Sequence, residues 1–255
     1  MISIFFQFFN INNIYTMITT IIYTDNHFFI YIIGAIIFHW SYFMMDKLLV
    51  NVNENYKNLN DDKKMYVVSN INKSLILGGI TPIAGNILYN SIYTGYWNNN
   101  LIRNMGILYS IPDTVSLFVV NKMDLTTKIH HTVVVLFNIG SIFNDYNNDN
   151  IFRCMLVYAC FSAFAFIVNF QLGARFLHKN KKLDRNLSIT AFIIYFLSCI
   201  TNWMYHYYEL SNQWKSCYDY ECYKIMIYLL MISTIAVDDL KLMNWLFNKS
   251  NLLTY

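Results

Sequence analysis

Seven apolar stretches, at residues 28–45, 66–93, 102–120, 129–143, 152–174, 187–208 and 223–246, leave little of this chain for water. A run of about 18 to 25 apolar residues is long enough to cross the hydrocarbon of a bilayer as a helix. Only 13% of the 255 residues are charged, whereas soluble domains carry about 25%. The 8 glycines and 2 prolines are too few for the many turns of a β-barrel. The pattern predicts an all-α integral membrane protein with about seven transmembrane helices.

Charge placement supports that count. If the stretches cross in order, 14 of the 18 Lys and Arg fall on one face, among them Lys63, Lys64, Lys122, Arg175, Lys181, Lys182 and Lys241. The other face receives Arg103, Arg153, Lys215 and Lys224. The positive-inside rule makes the first face cytosolic and puts the C-terminus there too. The expected division is an N-terminal extension at 1–27, read as an interfacial helix, then a first span at 28–45, a cytosolic loop at 46–64 and a membrane domain at 65–250. No polar stretch is long enough to build a soluble core.

Five cysteines fit this topology. Cys154, Cys160 and Cys199 lie in spans, where a thiol is a small apolar filler. Cys217 and Cys222 share the non-cytosolic loop WKSCYDYEC, where an oxidising compartment permits a disulfide. Two free thiols are the alternative.

Polar groups at membrane depth need a partner or a purpose. Span NMGILYSIPDTVSLFVV carries Asp113 directly after Pro112, and a short link leads to IHHTVVVLFNIG, so the two helices are antiparallel neighbours. Asp113 lies about five residues deeper than His131, a height difference of about 8 Å along a helix axis, which tilt can close. Consecutive histidines point about 100° apart, so His130 and His131 face different neighbours. An imidazole beside a carboxylate is a candidate base or nucleophile; a pair satisfied by backbone carbonyls is the plain alternative. Tyr109, Asn202 and His206 are candidates to line the same cavity. Six histidines, two of them adjacent, do not make a di-iron set, and no metal site is expected. Asp238 and Asp239 read as a solvated helix end, and the basic loop at 175–185 reads as a stop-transfer anchor.

The order of weak motifs resembles the TLC-domain family, which includes ceramide synthases, translocating-chain-associated membrane proteins and lipid-homeostasis proteins. The residues that carry the resemblance, over about residues 55–250, are Leu59, Lys64 and Ser69, then Tyr109 and Asp113, then Asp124 and the pair His130–His131 opening a span. The following span, VYACFSAFAFIVNFQLGAR, has no aspartate where the synthases carry two, which favours the non-synthase members. The resemblance implies six helices forming a bundle or barrel around a central cavity, in the endoplasmic reticulum or a membrane derived from it. It implies a role in lipid metabolism or lipid homeostasis. As an enzyme, the protein would be an acyl-CoA-dependent acyltransferase with His130 or His131 as base or acyl acceptor and Asp113 orienting it. Acyl-CoA would then be a substrate and no cofactor is implied. The partners are membrane lipids, with room for a homo-oligomer and none for nucleic acid. A non-catalytic lipid-binding, transport or chaperone-like scaffold is the alternative.

No Asn-x-Ser/Thr sequon falls in a loop of the less basic face, so the protein is expected to carry no N-glycan. A glycosidase-sensitive shift in gel mobility would contradict the assigned topology.

Overall fold

The computed structural model describes residues 23–216 and 220–250, and among them every regular element is a helix. The order is α1 (His27–Val52), α2 (Glu54–Lys57), α3 (Asp61–Leu88), α4 (Asn99–Val119), α5 (Leu125–Phe143), α6 (Phe152–Phe164), α7 (Phe166–Ala174), α8 (Lys181–Ser216) and α9 (Tyr220–Ser250). A π-helical turn, Tyr89–Thr94, extends α3 and ends at Gly95, whose φ of 74° suits glycine. Each expected span lies within one helix, except that 152–174 is split into α6 and α7, bent by 47°.

Among the described residues three helices, His27–Val52, Asp61–Thr94 and Lys181–Lys215, are long and apolar enough to cross a membrane, or four crossings if α6 and α7 form one broken span. The sequence expectation of about seven is therefore met only in part by length and apolarity. α4 contains Asn104, Ser110, Asp113 and Ser116, all buried, and these inward-facing polar groups lower its apolarity. Large apolar side chains point outward around the molecule, including Phe29, Ile37, Trp40, Phe118, Phe143 and Leu230. An exposed apolar surface of this extent suits lipid rather than water.

Asparagine, abundant in this chain, has a local use. Its side-chain oxygen accepts a backbone N–H at the start of four helices: Asn53 from Tyr56, Asn60 from Lys63, Asn98 from Leu101, and Asn180 from Leu183. Each satisfies a donor that the first turn leaves unpaired. Asp61 and Asp62 add negative charge at the positive end of α3.

The loop expected at 46–64 is mostly helical, because α1 continues to Val52 and α2 fills part of the gap. Tyr56 of α2 is fully buried and donates to Asp46 Oδ1 at 2.6 Å. Burial, with the Asp46 carboxylate, pushes its phenol above the usual tyrosine range. Asn53 and Asn55 both donate to the Leu177 carbonyl, at 2.9 and 3.1 Å, which fastens this turn to the end of α7. The N-terminal extension falls almost wholly outside the described residues. So does Cys217; Cys222 is disulfide-bonded, and Cys154, Cys160 and Cys199 are buried free thiols.

Packing runs in a closed cycle: α3 against α4, α4 against α5, α5 against α9, α9 against α8, α8 against α6 and α7, and these back against α3. α1 lies outside the cycle, on α3 and α4, with Phe38, Tyr42, Ile107 and Ile111 in one apolar cluster. The break between α6 and α7 sits over glycines of α3: a Cβ on Gly85 would lie 3.6 Å from Phe164 and one on Gly78 3.5 Å from Phe166. Gly173 of α7 permits a closer approach, since its Cβ would lie 2.9 Å from Ile71 and 3.2 Å from the Val67 carbonyl.

Gly173→Val is expected to destabilise the protein by about 1–3 kcal/mol through overpacking, measured by unfolding in mixed micelles. Gly79→Ala, where a Cβ meets open space, is the control expected not to lose stability. Equal stability of Gly173→Val and the unchanged protein would refute this close α3–α7 contact.

Candidate functional site

The cycle of helices encloses a cavity of about 440 Å³, within the range of small-molecule sites. Its wall takes side chains from α3, α4, α5, α6, α7, α8 and α9. It reaches the surface where α3, α5 and α8 begin and α4, α7 and α9 end, beside the exposed Lys122 and Asp124. At this rim Lys122 pairs with Asp62 at 2.6 Å, which raises its pKa. A hydrogen bond from Thr126 holds the Asp124 carboxyl below its ordinary range.

The opposite end is filled. Trp97 and Tyr146 stack at 6.4 Å, and the Arg153 guanidinium lies 4.2 Å from the Trp97 ring. Arg153 also donates through Nη2 to the Tyr146 carbonyl at 2.8 Å and pairs with Asp149. The basic and aromatic groups at this end close it, so the cavity has its entrance at the other.

Asp113 is fully buried on α4. Lys73 of α3 forms an ion pair with its Oδ1, and His131 Nε2 of α5 approaches the same oxygen at 3.3 Å. His131 Nδ1 lies 2.8 Å from Ser116 Oγ. Ser116 Oγ donates to the Asp113 backbone carbonyl at 2.8 Å, so the serine oxygen is left to accept from His131 Nδ1–H, and the Nε2 edge of the ring faces the carboxylate. The expected proximity of Asp113 and His131 is thus present. The α3 lysine, which sequence reasoning counted only as a topogenic charge, is their third member. Its signal was available: a cation in the middle of an apolar stretch calls for a carboxylate.

His130 faces a different neighbour, as the 100° rotation requires. Its Nδ1 lies 3.1 Å from Asp238 Oδ2 of α9, off the line of a good hydrogen bond. Its Nε2 makes no hydrogen bond to any of the described residues, and the ring lines the cavity. Both histidines therefore line the cavity, and the two rings meet edge to face at 5.7 Å. His131 has a hydrogen bond to Ser116 at Nδ1 and the Asp113 carboxylate beside Nε2, whereas His130 has a carboxylate beside Nδ1 alone and no partner at Nε2 among the described residues. Asp238, not Asp113, is the carboxylate beside that freer imidazole.

The solvated helix end expected at Asp238 and Asp239 is not what the fold makes of them. Asp238 accepts from Thr127 at 3.2 Å. Asp239 is 2% exposed and accepts from Tyr195 at 2.7 Å and Tyr158 at 3.2 Å. Helix α9 continues to Ser250 and packs on α5 and α8, so Asp239 is covered by other helices, while Asp238 is half-buried on the cavity wall.

Tyr109 lines the cavity as expected, and so does Asn169. His206 and Asn202 do not. His206 Nδ1 donates to the Asn202 carbonyl at 3.0 Å and its Nε2 accepts from Tyr228 at 2.8 Å, leaving a satisfied core histidine. The Asn202 side chain borders a separate small void beside Asp239. Among the described residues, no three His, Cys, Asp or Glu side chains converge as a metal site would require. Comparison with protein-family models, curated proteins and solved structures finds no match.

Removing one partner of a buried ion pair strands the other charge, at a cost of about 3–5 kcal/mol. Asp113→Leu is therefore expected to lower stability in mixed micelles by about that amount, and Lys73→Met/Asp113→Leu by clearly less. A double variant as unstable as the sum of the single variants would show that the two residues do not act as a pair.

Proposed function

We propose that this is a multi-pass membrane protein of lipid metabolism or lipid homeostasis, a TLC-like protein whose cavity takes an acyl chain and whose His130 serves acyl transfer. The observation that carries this reading is the cavity itself, with the His130 imidazole on its wall, Asp238 3.1 Å behind it and no partner on Nε2 among the described residues. In this reading the seven apolar stretches all cross the bilayer, the six spans from α3 onward form the barrel, and α1 flanks it. The concentration of Lys and Arg at the cavity entrance supports a cytosolic opening and a cytosolic C-terminus, in the endoplasmic reticulum or a membrane derived from it.

The transfer step follows from the geometry of the free nitrogen. An acceptor lipid donates its hydroxyl or amine proton to His130 Nε2 as its oxygen or nitrogen bonds to the thioester carbonyl carbon of acyl-CoA. Asp238 stabilises the imidazolium that results. The carbon–sulfur bond then breaks, and the imidazolium returns the proton to the departing thiolate. Products are an ester or amide and free coenzyme A. His131, bound to Asp113 and Ser116, holds the wall in place.

A non-catalytic scaffold is the second reading, and the Lys73–Asp113 pair favours it. That lysine neutralises the carboxylate which the sequence resemblance assigns to the histidines, so the array can be wholly structural.

Membranes containing the protein, given isotope-labelled acyl-CoA, are expected to form a labelled lipid, and His130→Ala is expected to lower that product by about a hundredfold or more. Identical lipid profiles for the unchanged protein and an inserted His130→Ala/His131→Ala variant would defeat the enzymatic reading.

A further inference from the structure

Four cationic side chains line the cavity, and three of them have a carboxylate: Lys73 has Asp113, Lys122 has Asp62, and Lys241 has Asp124 at 3.8 Å. The fourth, Arg175 at the end of α7, has none within ion-pair distance among the described residues. Aromatic rings surround it instead. Its guanidinium carbon lies 4.5 Å from the Trp245 ring centre, 4.8 Å from Phe176 and 5.7 Å from Tyr66. Among the described residues its guanidinium makes one hydrogen bond, from Nη2 to the Tyr66 hydroxyl at 3.4 Å, and its buried Nε has no partner.

This is a costly way to keep a surface anchor. Arg175 is half-buried on the cavity wall; a guanidinium partly withdrawn from water without a counter-ion is unfavourable, and its unpaired buried Nε–H adds to the cost. Stacking recovers part of it and, more usefully, fixes the plane of the fork so that its N–H groups are already oriented for a planar or tetrahedral anion. Each of the three lysines already has a carboxylate beside it, so Arg175 is the cation on the wall whose charge is not answered among the described residues. The wall beside Arg175 is apolar, with Val168, Leu172 and Leu242, so charge and chain would be bound side by side.

We infer that Arg175 is the seat of an anionic head group, a phosphate or carboxylate, on an amphiphile whose chain occupies the cavity. The inference rests on the lipid-chain reading of the cavity proposed above, but not on any transfer of that chain. The head group has two sources, a membrane lipid or a soluble carrier, and both present the same anion to the guanidinium.

The test uses the full-length protein in phosphatidylcholine nanodiscs, with phenylglyoxal labelling of arginine read residue by residue by mass spectrometry. Dodecyl phosphate is expected to slow labelling of Arg175 about tenfold or more, and dodecanol, with the same chain and no charge, is not. Protection by inorganic phosphate alone assigns the head to a soluble carrier; protection only by nanodiscs containing phosphatidate assigns it to a lipid. Either result supports the seat. Equal protection by dodecanol, or none by any anion, overturns it. In parallel, the affinity for dodecyl phosphate is expected to fall about tenfold in Arg175→Gln, and an unchanged affinity overturns the inference. The labelling of unaltered protein decides if that variant fails to insert, and the affinity comparison decides if the free guanidinium does not label. Protection of Arg175 without acyl transfer would defeat the catalytic reading alone, and transfer without protection would defeat the seat alone.

Discussion

A carboxylate with no access to water needs its charge answered by other parts of the chain, and Asp113 imposes that need on three helices at once. It projects from α4, with Lys73 of α3 on one side and His131 of α5 on the other. These are consecutive members of the helix cycle, so one charge balance holds together three of the seven helices of the wall. Apolar packing alone would let the helices slide or rotate against each other, because lipid solvates apolar side chains as well as a neighbouring helix does. The ion pair supplies direction and register where dispersion supplies neither.

The same need explains the unequal standing of the two histidines. His131 is drawn into the Asp113 array and spends both ring nitrogens there. His130, turned by one residue around α5, meets a carboxylate from α9 and keeps Nε2 towards the cavity. One adjacent pair thus joins α5 to both of its neighbours in the cycle, and the division between structure and chemistry follows the helical rotation. The closed end, with Arg153 and Trp97 over the Tyr146 loop, makes the cavity a cup with its entrance among the basic residues.

Much of the helical architecture was legible because its determinants are local. The apolar stretches locate the helices, although α1 runs on to Val52, α8 extends past both ends of its stretch and 152–174 is split in two, and the adjacency of α4 and α5 follows from the short link between them. The pairing of Asp113 with His131 was legible for the same reason. Lys73 was read only as a charge near the basic face because its partner is 40 positions away, on a different helix. Asp238 and Asp239 were misread as solvated because polarity near the end of an apolar stretch marks an exposed terminus whenever the helix stops there; α9 continues and is covered. His206 was grouped with the cavity on depth alone, and its rotation around α8 takes it to Tyr228 instead.

By itself, then, the sequence determined that the chain is helical, that its outer surface is apolar, and that a histidine pair lies near a carboxylate on an adjoining helix. Periodicity, run length and short connections act over a few residues and need no knowledge of distant ones. Tertiary structure alone decided which carboxylate each histidine meets, that Lys73 completes the Asp113 array, and that Arg175 is left without a counter-ion. Those outcomes depend on helix rotation and on the closure of a cycle between segments far apart in the chain. A rotation of one residue, about 100°, is enough to exchange one partner for another.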